Sequence, residues 1–273
     1  MTTEGTEEGT GTTGQLRPLS EKDRFGRLIE RRDGADFPYY NGVPVELSVG
    51  KWILVWAAVA VGFLALILIP QPNDVVALLP RALFVIIPLA VLALVAGRHW
   101  SAIFRRVRWV DVGNMFFFAA LNIVLTFAIG GLVSLFFPVA PNATIADAGA
   151  GGVADTIALY VGSGIQLIGE EIFVVLPFLA LMYFLFAKAG VSRKTAIILA
   201  WIISAVWFGA AHLPTYDWNW VQAIIVIGSA RIALTLAFIR TKNLWVSAGA
   251  HIINDWAFIT IAVVGAAAAA AAG

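Results

Sequence analysis

The sequence predicts an all-α fold, a polytopic membrane bundle of about seven transmembrane helices with its functional centre among the last four. Three observations carry the prediction. Hydrophobic residues make up 60% of the 273 positions and charged residues only 13%, with a mean hydropathy of +0.86, a balance found in multi-pass membrane proteins and not needed by any soluble core. The apolar residues gather into seven runs of roughly bilayer-crossing length. Lys and Arg fall between those runs, in patches that alternate with loops lacking them, as the positive-inside rule requires.

The polar part of the chain comes first: 15 of its charged residues precede Lys51. Met1 to Gly14, built of Thr, Glu and Gly with almost nothing to bury, is expected to be a disordered tail. It is no signal peptide, because no apolar stretch follows directly. Arg17 to Arg32 is basic and mixed in charge, which suits either a cytoplasmic juxtamembrane segment lying on anionic lipid or a solvated linker. The expected organisation is a polar N-terminal region at 1–50, N-terminal membrane helices at 51–155, a core at 156–265 and an alanine-rich tail at 266–273. A net charge of +1 gives no footprint for nucleic acid. The absence of cysteine excludes disulfides, thiolate metal ligands and a cysteine nucleophile.

The first span is expected over about Trp52 to Ile69, closed by Pro70-Gln71-Pro72, and the second over about Ala82 to Ala96 with Pro88 inside it. Gly97 to Val112 carries four arginines with Trp100 and Trp109 and reads as an interfacial loop, in which His99 is a surface histidine. The third span, about Met115 to Phe137, leads to a Gly- and Ala-rich outer loop. The fourth, about Thr156 to Ala187, returns to Lys188, Arg193 and Lys194 on the inside. A fifth at about Thr195 to Ala211, a sixth at about Val221 to Ile239 and a seventh at about Leu244 to Val264 complete the count. The N-terminus is expected in the cytoplasm, and the plasma membrane of a bacterium is the expected location. The run Ala266 to Ala272 extends the last helix or forms a low-complexity tail.

Within the last four spans the charged and histidine side chains are few: Glu170 and Glu171 side by side, His212, Arg231, His251 and Asp255. Such groups are costly at bilayer depth and mark functional sites there. Phe208 sits one helical turn before His212, and His251 one turn before Asp255, so each pair shares a helix face. Asn254 adjoins Asp255 as a supporting polar residue.

The pattern Glu170-Glu171, then Phe208 with His212, then His251 with Asp255 resembles the CPBP intramembrane proteases, which include CAAX-type prenyl-protein endopeptidases and bacteriocin-processing (Abi-type) relatives. His212-Leu213-Pro214 and Arg240-Thr-Lys-Asn-Leu-Trp245 are similar to that family too, and the resemblance covers about Gly164 to Phe258. It implies an endopeptidase acting on membrane-embedded or lipid-anchored peptides within the bilayer. One departure stands out, since the arginine of the family's first motif falls at Val175. The lone Arg231, deep in the sixth span, is expected to supply that charge from another helix.

The side chains leave two chemical routes open. A glutamate can take a proton from water when a like charge or burial raises its basicity. His212, His251 and one of the two glutamates, Glu171 in the set singled out here, could instead form an open divalent-metal shell, with zinc the expected ion, the other glutamate the base and Asp255 orienting the ring of His251 or joining the shell. In the metal-free route the histidines stabilise the oxyanion. A transporter or a proton or metal-ion carrier could use the same residues, but such proteins usually show two related halves, and the first three spans lack counterparts of these polar groups. A catalytically silent membrane scaffold is a third reading, supported by Val175. Depth poses a puzzle: Glu171 and His212 lie roughly 26 Å from the inner edge of their spans, but His251 only roughly 14 Å.

Overall fold

The computed structural model describes residues 20–142, 145, 148 and 152–272. The expected tail at Met1 to Gly14 lies outside them. Among the described residues seven helices are long and apolar enough to cross a membrane, which makes the chain an integral multi-pass membrane protein.

Helix α1 (Val49–Leu68) starts where the Ser48 hydroxyl accepts from the Lys51 amide and stops before Pro70, the side-chain cap and the proline each doing what they do at helix ends. Helix α2 (Asp74–Ala96) is capped by Asn73, whose side chain accepts from Val76 N at 2.9 Å, and ends at Gly97 with φ of +57°. It therefore begins eight residues before the expected Ala82 and carries both Pro80 and Pro88. Gly62 of α1 lets the two helices cross closely, since a Cβ there would lie 3.3 Å from the Phe84 carbonyl oxygen. Helix α3 (Trp109–Ser134) opens at Asp111, which accepts from Arg108 N at 2.8 Å.

Helix α4 (Val153–Met182) is the axle of the bundle. Every residue from Gly169 to Ala180 is buried, because α1, α2, α5 and α7 pack around it. Pro177 and the glycines do not break it, and it runs on through a π-helical stretch to Lys188. Helix α5 (Arg193–Ala211), capped by Ser192, ends at His212. Val221–Ile227 is π-helical and leads into α6 (Gly228–Thr241). Helix α7 (Leu244–Ala272) takes up the alanine run, so that run extends the last helix.

The segment 20–48 is neither a solvated linker nor a loose strap. Glu30, Phe37, Tyr39, Tyr40 and Leu47 are buried, folded over the helix ends. The Glu30 carboxylate accepts from Arg193 at 2.7 and 2.9 Å and from Lys242 at 2.6 Å. Asp36 takes a further bond from Arg193 at 2.7 Å, and Arg31 reaches Asp111 at 2.6 Å. Burial would raise the pKa of Glu30, but the bonds from Arg193 and the charge of Lys242 outweigh it and hold the group at about 2. This cap explains the depth puzzle. The α6–α7 turn, Thr241 to Leu244, lies buried beneath it, sunk into the protein, so His251 reaches the level of its partners after a short run of helix.

Candidate active site

A cavity of about 270 Å³ collects most of the residues singled out by the sequence: Glu170 from α4, Phe208 and His212 from the end of α5, Arg231 from α6, and His251, Asn254 and Asp255 from α7. Successive residues of an α-helix point about 100° apart, and of the two adjacent glutamates only one lines the cavity. It is Glu170. Glu171 is fully buried and outside the cavity wall.

Arg231 explains how a second carboxylate can be kept there. Its Nη1 donates to Oε1 of Glu171 at 2.5 Å and its Nη2 to Oε2 at 2.8 Å, while Nε donates to the Thr235 hydroxyl one turn on. This is the forked geometry in which a guanidinium neutralises a carboxylate best. Val175, buried on α4, offers nothing polar; the cation comes from α6 instead. The guanidinium also lies over the Phe208 ring at 5.1 Å, and that ring contacts the imidazole of His212 at 4.4 Å between centroids.

The two histidines present the same nitrogen to the cavity. A carboxylate engaged by arginine can only accept, so Nδ1–H of His251 donates to Oε1 of Glu171 at 2.9 Å. A carbonyl can only accept, so Nδ1–H of His212 donates to Phe208 O at 2.9 Å. Each ring keeps Nε2 free. Around Nε2 of His251 stand Oε2 of Glu170 at 3.9 Å and Oδ1 of Asp255 at 3.8 Å.

The metal shell of Glu171, His212 and His251 is not assembled: Arg231 takes both oxygens of Glu171, and a cation there would sit against a guanidinium. Among the described residues no three His, Asp or Glu side chains stand in a metal-holding arrangement. Glu171 occupies Nδ1 of His251, so Asp255 meets that ring from the Nε2 side, with Oδ1 at 3.8 Å.

Three further residues contribute, two of them, Asn122 and Arg81, from helices outside the last four. Asn122 of α3 donates to Asn254 at 3.2 Å, and Asn254 donates to Asp255 at 2.7 Å, so an amide chain fixes the carboxylate. Gln166, one turn before Glu170, donates to its Oε1 at 2.9 Å. Arg81 of α2 lines the same cavity. Sequence reasoning passed over all three. Asn122 was legible as an amide inside an apolar run; Arg81 lay just outside the boundary set at Ala82. His99 lies far from this chemistry in sequence and place, its carbonyl accepting from Tyr39 at 2.6 Å.

Comparison with known families gives one match. Residues 152–257 match the family described as type II CAAX prenyl endopeptidase Rce1-like, a stretch from α4 to the middle of α7 that contains Glu170, Glu171, His212, Arg231, His251 and Asp255. The resemblance read from the motifs is thereby borne out over that region, and it supports a membrane protease. No curated protein and no solved structure matches the chain.

Proposed function

We propose, from the premise that residues 152–257 belong to the type II CAAX prenyl endopeptidase family, that the protein is an intramembrane endopeptidase in which Glu170 activates water. The observation that carries this reading is the division of labour between the neighbouring carboxylates. Glu171 is spent on Arg231 and His251, whereas Glu170 keeps one oxygen toward the cavity, 3.9 Å from an imidazole nitrogen. That gap is too long for a direct hydrogen bond and short enough for one water to touch both groups.

In this reading the bound peptide places its scissile carbonyl against the two Nε2 positions. Glu170 Oε2 accepts a proton from the water as its oxygen attacks the carbonyl carbon. With Nδ1–H of each ring already committed, His212 and His251 donate from Nε2 to the oxygen that becomes negative only when each ring carries a second proton there, and this donation matters most where bulk water is excluded. Glu170 then returns the proton to the leaving amine, completing hydrolysis with one water consumed. Glu171 is a positioning residue: held by Arg231, it accepts from Nδ1–H of His251 and fixes the orientation of that ring. The set of side chains proposed for zinc does not fit a cation at Glu171, and no step is assigned to one.

The test is cleavage of a prenylated peptide by protein reconstituted in vesicles. Glu170→Gln and His212→Ala are expected to lower the rate at least about a hundredfold, within the usual range for a general base or an oxyanion donor, with unchanged thermal unfolding. Metal content is measured on the same samples. Stoichiometric metal lost together with activity in Glu170→Gln would replace this route with a metal-dependent one, and full activity of Glu170→Gln would sink the reading.

A further inference from the structure

Away from the cavity of Glu170, cations gather where the N-terminal cap meets the loop before α3. Two adjoining clefts lie there, of about 440 Å³ and about 150 Å³. Arg27, Arg31 and Arg32 reach them from the cap and Arg105, Arg106 and Arg108 from the loop, and Arg31 and Arg108 line both. The acidic residues in their walls are Asp33 and Asp111.

Those carboxylates are already taken. Oδ2 of Asp33 has Arg31 at 3.2 Å, Arg105 at 3.4 Å and Arg108 at 3.6 Å, three guanidiniums on one oxygen. Asp111 meets Arg31 at 2.6 Å with one oxygen and Arg108 at 3.5 Å with the other. Arg32 pairs with Glu21, while Arg27 and Arg106 have no ion pair among the described residues. Nε of Arg31 is buried without a hydrogen-bond partner. The clefts thus hold more positive charge than their own carboxylates neutralise, and like charges so close repel until an anion enters between them. The planar fork of a guanidinium matches the oxygens of a phosphate.

The neighbouring surface identifies the source of that phosphate. Val110 lines the larger cleft and is 54% exposed, and Trp109, the first residue of α3, is 90% exposed. Two turns further along the same helix face stand Phe116 and Phe117, also exposed. A tryptophan at the start of a membrane helix marks the level of the headgroups. The arginines therefore stand at the height of lipid phosphates, and an apolar helix face leads from them into the hydrocarbon. A free phosphate would leave that face unused.

We propose that the two clefts bind the phosphate of an anionic lipid headgroup, whose acyl chains run along the Trp109 and Phe116 face of α3. The site stands independently of the endopeptidase reading. Of its lining residues only Thr241 and Asn243 fall within residues 152–257, so it belongs mainly to the part of the chain that the family match does not cover. Those two tie it to the α6–α7 turn. Nη1 of Arg105 donates to Thr241 O at 3.1 Å, and the Asn243 amide accepts from Arg105 N at 3.0 Å and donates to Arg105 O at 3.2 Å. A headgroup held by the cap and the loop together braces the turn from which the helix of His251 starts.

The experiment follows thermal unfolding of the full chain after exchange into neutral detergent. Dihexanoyl phosphatidylglycerol, dihexanoyl phosphatidylcholine and inorganic phosphate are added separately at equal concentration. The anionic lipid is expected to raise Tm by about 5 °C at roughly a hundredfold excess over its Kd, and the other two to leave Tm unchanged. The double variant Arg27→Gln with Arg106→Gln removes no ion pair, so its Tm without lipid should match the wild type while most of the lipid shift is lost. No shift with phosphatidylglycerol, equal shifts with the two lipids, or a shift undiminished in the double variant overturns the proposal. The comparison between lipids needs no variant to fold. A shift with inorganic phosphate as large as with phosphatidylglycerol overturns the lipid assignment in favour of a soluble anion.

Discussion

Replacing Arg231 by leucine would leave the Glu171 carboxylate fully buried with only an imidazole for company. Breaking a buried pair from one side costs about 3–5 kcal/mol, whereas replacing both members with apolar groups is often close to neutral. Arg231→Leu is accordingly expected to lower thermal stability in detergent markedly, and the double variant Arg231→Leu with Glu171→Leu to regain much of the loss while remaining inactive. A stable Arg231→Leu protein would show that the pair carries no such burden. The pairing was legible in the sequence for a reason of cost: a lone arginine deep in an apolar run has to have a partner, and the vacancy at Val175 pointed to one. Arg81 obeys the same rule but lay at the edge of its run, where a charged residue looks like a helix flank. Which of two adjacent glutamates faces the cavity was not legible, because helix periodicity fixes their difference in direction and not the direction itself.

Among the elements, the contact of α5 with the π-helical stretch before α6 controls the placing of His212. Gly209 lies in it, and a Cβ there would come within 2.5 Å of the Ala223 carbonyl oxygen, a backbone atom with little freedom to retreat. Gly209→Ala should therefore push the end of α5 outward, at a cost of about 1–3 kcal/mol for an overpacked contact. Because Phe208 and His212 sit on either side of it, activity should fall more than stability does, which parallel unfolding and cleavage assays would reveal. The number of spans and their order could be read from the apolar runs alone. The π-helical stretches could not, since an extra residue in a turn leaves the pattern of apolar residues almost unchanged. The early start of α2 was hidden by Asp74, Pro80 and Arg81, which resemble a loop in composition but serve as a first turn, a tolerated proline and a cavity wall.

At the scale of the molecule, the N-terminal cap couples stability to pH. Glu30 is held near 2 in the folded state against 4.5 in the unfolded chain, so its contribution is complete above about 4.5 and fades as pH falls toward 2. Thermal unfolding followed between those values should show the loss, and Glu30→Gln should flatten it. The cap escaped sequence reading because Glu30 is one of many charges in a polar segment and becomes distinctive only through Arg193 and Lys242. The mismatch in depth at His251 did betray its effect, since straight full-length spans do not bring His251 level with its partners and a buried α6–α7 turn does.

That arrangement also sets an order of events during synthesis. Glu30 leaves the ribosome 163 residues before Arg193 and 212 before Lys242. The segment made first must wait, unpaired and in water, until the last membrane helix begins to emerge. The cap can close only once the chain has been made as far as Lys242, so its closure ties the N-terminal segment to the successful insertion of the helices in between.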